Sequence, residues 1–183
     1  MLIRLIPVGN ITGRMMEKLP RELTSIFHCH IKVLPQLEVP KQAFNQWRKQ
    51  YDGAKIMSML SGDKEGVYID KEIPAIFITD ADIYYQGMNY VFGLENPTQA
   101  TAIVSIARLS PEFYNKSPNL YMLQERILKE CVHEIGHHLG MDHCRHPFCV
   151  MSFSPSIADV DGKKASFCAN CKLKLNMKGI EVE

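Results

Sequence analysis

No apolar run in these 183 residues approaches the roughly 20 that a membrane-spanning helix needs, so the sequence gives no support to a role inside a bilayer. An excess of charge of one sign is missing too. The 21 Lys and Arg stand against 20 Asp and Glu, a formal charge of +1, which provides no composition-wide argument for nucleic acid or an anionic membrane. Tryptophan occurs once, at Trp47, and a lone tryptophan is expected in a core. Neither an internal repeat nor a low-complexity tract is visible. Residues 1–9 are too short and too early in their hydrophobicity for a secretory signal, and they read as a buried first strand. What is present, 46% hydrophobic residues, can supply the core of one domain with a small appendage.

Residues 133–143, HEIGHHLGMDH, carry the chemistry. They read as H-E-x-x-H-x-x-G-x-x-H, a pattern that this chain's own His, Glu and Gly frequencies would produce by chance about 4 times in 100,000. On a helix, His133 and His137 stack on one face and can reach one ion. Glu134 is one residue round, placed to reach a water rather than the metal, which is a general-base position. Gly140 permits the sharp left-handed turn that would bring His143 back to the same ion. Three nitrogen ligands leave one position open, as catalytic zinc sites do. His138 points about 100° away from His137 and reads as a supporting or surface residue, and His146 as a remote substitute ligand.

Read in order, the chain begins with a strand at residues 3–8, followed by a helix over 13–27 that Pro20 must kink or interrupt. A strand over 28–34 follows, in which His28 and His30 are read as surface imidazoles around a buried Cys29. Helices are expected over 42–52 and 54–60, a turn between Gly62 and Gly66, and a strand or loop over 66–70. The near-continuous apolar run 73–80 should be a central strand. Asp80 and Asp82 beyond it could hook a substrate's amino group, although a solvated turn is the plainer reading. Short strands are expected over 89–93 and 100–109, the first of them placed to receive an extended peptide at the metal cleft. A long helix over 118–139 then mounts the histidines.

Four of the six cysteines, Cys144, Cys149, Cys168 and Cys171, crowd the last third in two ligand-spaced pairs. Without an export signal they read as a closed four-thiolate zinc site in a reducing, cytoplasmic compartment. A tail of about 40 residues has little core of its own, so a metal staple is expected there. Cys144 directly follows His143, which couples the two sites. Met151, between the pairs, would by itself be filler. Lys163, Lys164, Lys172, Lys174 and Lys178 read as a solvated face; a rival reading makes this tail a zinc-containing module that binds nucleic acid or protein.

With these residues in view, the chain resembles the metzincin zinc peptidases in His133, Glu134, His137, Gly140 and His143. With Cys144, Cys149, Met151, Cys168 and Cys171 added, it looks like an archaemetzincin. The resemblance implies an α/β (α+β) fold: a mixed sheet of about five strands with an active-site helix in residues 1–140, and a small zinc-stapled subdomain in 141–183. It also implies that Met151 forms a hydrophobic floor beneath the catalytic metal. The implied activity is hydrolysis of peptide bonds, with some aminopeptidase-like character, by a chain carrying two zinc ions, one catalytic and one structural. Expected partners are a peptide or protein substrate, with no membrane and no nucleic acid, and the chain itself is expected to be a monomer.

Overall fold

The computed structural model describes residues 1–61 and 73–183. Along them the elements run β1 (Leu2–Val8), α1 (Gly13–Met16), α2 (Leu19–Phe27), β2 (His30–Val33), β3 (Phe44–Asn45), β4 (Gln50–Asp52), α3 (Gly53–Leu60), β5 (Ala75–Thr79), β6 (Ile83–Tyr84), β7 (Gly93–Asn96), β8 (Thr101–Ser105), α4 (Leu120–His138), α5 (Ile157–Gly162) and α6 (Ala169–Met177). The turn and strand or loop expected at 62–70 lie outside the described residues.

Five strands form a mixed sheet in the order β2-β1-β5-β8-β7, parallel throughout except for β7, which runs antiparallel to β8 along the edge. Every residue of β5 and β8 is buried, as expected for strands covered on both faces. Period-two alternation assigns the faces. Ile3, Leu5, Ile76, Ile78, Ala102 and Val104 pack with α2 and α4, whereas Ile6, Val8, Phe77 and Ile103 pack with α3. This is the mixed α/β fold anticipated, with the 73–80 run as its third strand of five.

Several expected elements shift for identifiable reasons. The helix over 13–27 is two helices, because Pro20 falls in the first turn of α2, where its missing N–H costs nothing. Residues 42–52 are not helical. The side chain of Asn45 accepts from the backbone N–H groups of Trp47 and Arg48, and Lys49 takes a positive φ of 54°, so the segment turns into the hairpin of β3 and β4. Trp47 sits on that turn and is 98% exposed, the reverse of the core position expected. The strand expected over 89–93 begins only at Gly93 and runs to Asn96, and the chain turns after it through a 3-10 segment, Pro97–Gln99.

The long helix α4 is capped at its start by Asn119, whose side chain accepts from the Met122 N–H at 3.0 Å. Leu123, Ile127, Cys131 and Ile135 bury one face of it against the sheet. The C-terminal segment continues the same core, contributing Val150, Met151, Val160, Phe167 and Leu175. Among the described residues, no helix is long and apolar enough to cross a membrane.

Candidate metal centre

The helical spacing of His133 and His137 brings their rings together in the way the sequence implied. His133 Nδ1 lies 2.8 Å from the Val150 carbonyl oxygen, and His137 Nδ1 lies 2.8 Å from that of Met141. A carbonyl can only accept, so each Nδ1 carries the ring proton and donates it. The lone pairs of the two Nε2 atoms then confront each other at 3.0 Å. Burial holds both imidazoles below their usual range and favours the neutral rings, His133 well below. Two lone pairs that close repel, and a shared cation relieves them. The exposed His143 completes the set: its ring centroid is 5.3 Å from that of His133 and 4.8 Å from that of His137, and the three ligand atoms lie within 4.8 Å of one another. Tetrahedral zinc with Zn–N of about 2.0–2.1 Å asks for N···N near 3.3 Å, so the His133–His137 pair fits zinc with a few tenths of an ångström of opening.

The turn that returns His143 is built by Gly140, at φ +74°. The Met141 N–H donates to the Gly136 carbonyl (3.0 Å) and the Gly140 N–H to that of His137 (2.8 Å), the bond pair of a Schellman stop. From α6 beyond, Lys178 Nζ donates to the carbonyls of Leu139 and Gly140, closing the helix end with a cation.

Glu134 is 4% exposed. Its carboxyl is pushed well above the usual range, first by burial and then by the neighbouring Glu130 and Glu95, with Lys163 pulling the other way. The backbone of β7 crosses it at Gly93: a Cβ there would stand 2.8 Å from Glu134 Cδ and 3.0 Å from Cγ. Glu134, the three histidines and residues 87–95 line a single cleft of about 580 Å³.

Below the histidines the four cysteines converge. The sulfurs of Cys144 and Cys168 are 3.7 Å apart, as are those of Cys149 and Cys171. A disulfide needs about 2.05 Å. A Zn–S bond of about 2.3 Å gives a tetrahedral edge near 3.8 Å, which these distances match. All four are free thiols. Burial raises the Cys149 and Cys171 thiols; burial acts the same way on Cys168, but there a backbone N–H and the adjacent sulfurs outweigh it and bring the thiol down to about 7, so the cluster's first thiolate forms at Cys168. The two centres share a strap. Cys144 follows His143 and its N–H donates to the Met151 carbonyl at 2.8 Å, Val150 orients His133, and Met151, fully buried, packs beneath α4 at Gly136.

Other candidates fall outside this constellation. His138 is half-buried in a small neighbouring pocket, while His146 is exposed, as are His28 and His30 around the buried Cys29. Asp82 is held by both Nε and Nη2 of Arg108 at 2.7 and 2.8 Å, and Asp80 accepts from Asn10. The lysine face needs correction: Lys163 is 2% exposed and pairs with Glu130 at 2.8 Å, and Lys178 is engaged at the helix end. Both act within the fold. Sequence reasoning gave no role at the site to Gly93, Glu95 or Gly136, and with Lys163 these border the cleft or its floor. For the two glycines the signal was an absent side chain beside a functional one, which only the packing reveals.

The model of the family described as Peptidase family M54 matches residues 10–177. The chain is 44% identical over 177 residues to the archaemetzincin of Saccharolobus solfataricus, covering 96% of this chain and 93% of the relative. It is 37% identical over 182 residues to the archaemetzincin of Methanocaldococcus jannaschii, covering 100% of this chain and 97% of the relative. Among solved structures it is similar to the archaemetzincin of Archaeoglobus fulgidus in complex with malonate, at 36% identity and a TM-score of 0.80, over 95% of this chain and 99% of that one.

Proposed function

The chain belongs to peptidase family M54, the archaemetzincins, and is a zinc metallopeptidase; on that premise we propose that His133, His137 and His143 hold its catalytic zinc, that Glu134 is its general base, and that Cys144, Cys149, Cys168 and Cys171 hold a second, structural zinc. The observation that carries the first assignment is the meeting of two Nε2 lone pairs at 3.0 Å, each ring fixed from behind by a carbonyl. The 3.7 Å sulfur separations carry the second.

Bound zinc supplies the positive charge that polarises a peptide carbonyl and acidifies a water. The chain's own groups do the rest. Glu134, desolvated and pressed by β7, takes the proton of the attacking water and passes it to the departing amine nitrogen. As the edge strand, β7 offers unpaired backbone groups to an extended substrate lying antiparallel or parallel to it. Met151 gives the histidine face an apolar floor, and residues 141–183 act as a subdomain whose thiolate staple holds His143 and Met151 in place. An aminopeptidase-like preference, for peptides with a free amino end, belongs to the same proposal.

The test joins metal content to turnover. Protein purified from a reducing lysate should contain two zinc ions per chain, one of them resistant to mild chelation, and should cleave members of a peptide library. Glu134→Gln should keep both ions and lose at least about a thousandfold in kcat. A single ion, or full activity in that variant, refutes the corresponding assignment.

A further inference from the structure

Among the described residues, one acidic group on the wall of the cleft has no counter-charge. Glu95 stands two residues beyond Gly93 on β7, so the pleat turns both towards the α4 face of the sheet, while Leu94 between them packs on the α3 face. One pleat repeat is about 7 Å, so Glu95 lies that far along the strand from the bare backbone at Glu134. It lines the same cleft as His133, Glu134 and His137. Its Oε1 is closed to solvent and has no hydrogen-bond partner among the described residues. The carboxyl is raised by burial, with no cation pulling against it. The cleft's buried cation, Lys163, is already taken by Glu130 at 2.8 Å. The alternative hook beyond β5 is also taken, because Asp82 is held by Arg108. A half-buried carboxylate with one oxygen closed to water is left uncompensated, and its natural complement is a positive charge brought by whatever enters the cleft.

We propose that Glu95 is a specificity-determining residue of this peptidase: its carboxylate receives the ammonium group of a cationic peptide, carried within about two residues of the scissile bond. This rests on the peptidase reading above. The ammonium can come from a free α-amine or from a lysine side chain. Both present the same three donors to a carboxylate.

The test measures binding separately from turnover. Zinc-loaded Glu134→Gln protein is titrated, by fluorescence anisotropy, with pentapeptides labelled at the C-terminus: penta-alanine with a free amine, its Nα-acetylated counterpart, and acetylated versions with either lysine or norleucine at each position. At least one cationic peptide should bind about tenfold or more tighter than its matched neutral partner. Adding Glu95→Gln should bring that ratio close to one, while the neutral peptides still report an intact cleft. Loss of the free-amine preference assigns the site to the α-amine, and loss of a lysine preference assigns it to a side chain. A parent protein without preference overturns the proposal, as does a preference that survives Glu95→Gln, or equal loss of neutral and cationic binding. Failure of the peptidase reading shows elsewhere, as wild-type turnover in Glu134→Gln.

Discussion

The sulfur of Met151 occupies the place where a Cβ on residue 136 would have to stand, with the Met151 methyl carbon 3.1 Å and Phe167 Cε1 3.3 Å from that point. Gly136 is thus the recess in α4 that lets Met151, the proposed floor of the metal site, rise against the helix. Gly136→Ala should force Met151 down and disturb the strap that carries Val150 and His143. Overpacking of this kind costs about 1–3 kcal/mol. Chemical unfolding should show the loss, accompanied by weaker zinc retention. A variant of wild-type stability and metal content would mean that Met151 can move aside freely.

Gly93 makes the same kind of contact on the opposite wall, against the Glu134 carboxylate. Here the displaced group is the proposed base and not the floor. Gly93→Ala should therefore keep its zinc, because no histidine is touched, and lose kcat by about a hundredfold or more through misplacement of the carboxylate. Metal analysis beside steady-state kinetics separates the two. Zinc loss in step with activity would place the damage at the ligands instead.

The contrast between these glycines and the histidines explains what could be read from the sequence. Ligands four residues apart on a helix, and a glycine at its end, are local facts, and so is the crowding of four cysteines; His133, His137, Gly140 and the thiols were legible for that reason. Gly93 meets Glu134, and Lys163 meets Glu130, between elements far apart in the sequence, so their roles arise only in the packed chain. Segment 89–93 read as a strand because Tyr90 and Phe92 are aromatic and alternate. In the fold their rings pack edge to face, 5.4 Å apart, and pairing with β8 starts at Gly93. Segment 42–52 carried helical spacing, but the two hydrogen bonds accepted by Asn45 favour a turn, leaving Trp47 in solvent.

Glu95 makes a pH-dependent prediction whose sign can be worked out. Burial raises its carboxyl above 4.5, so the folded chain holds the proton more tightly than the unfolded chain. Below about 4.5 both states are protonated and the group is neutral in its effect. As pH climbs through the folded value, the stability of the protonated form is lost, and the loss is complete above it. Glu95→Gln escapes that loss. The melting temperatures of the two proteins, without substrate, should coincide near pH 4 and separate at pH 7.5, with the Gln variant higher. A lower Gln variant at pH 7.5 would show that the carboxylate has a stabilising partner.

The Glu130–Lys163 pair fastens α4 to the chain just past α5, beside Arg126, which holds Asp161 with two contacts of 2.7 Å. The side chains of Lys163 and Glu130 are 0% and 4% exposed, so neither charge can turn to water when its partner is removed. Lys163→Met leaves Glu130 as an isolated buried carboxylate, which should cost about 3–5 kcal/mol in urea unfolding. Combining it with Glu130→Leu removes both charges, and an apolar pair of similar volume should recover most of that loss. The double variant also tests whether the pair matters to the reaction. If the ion pair serves only to fasten α5, the double variant regains zinc and turnover together with stability. If the pair also sets the Glu134 carboxyl, stability returns while the pH at which turnover rises moves slightly downward, because Glu130, which raises that carboxyl, outweighs Lys163, which lowers it, and both are gone. A single variant within about 1 kcal/mol of the wild type would show that water reaches the pair in solution.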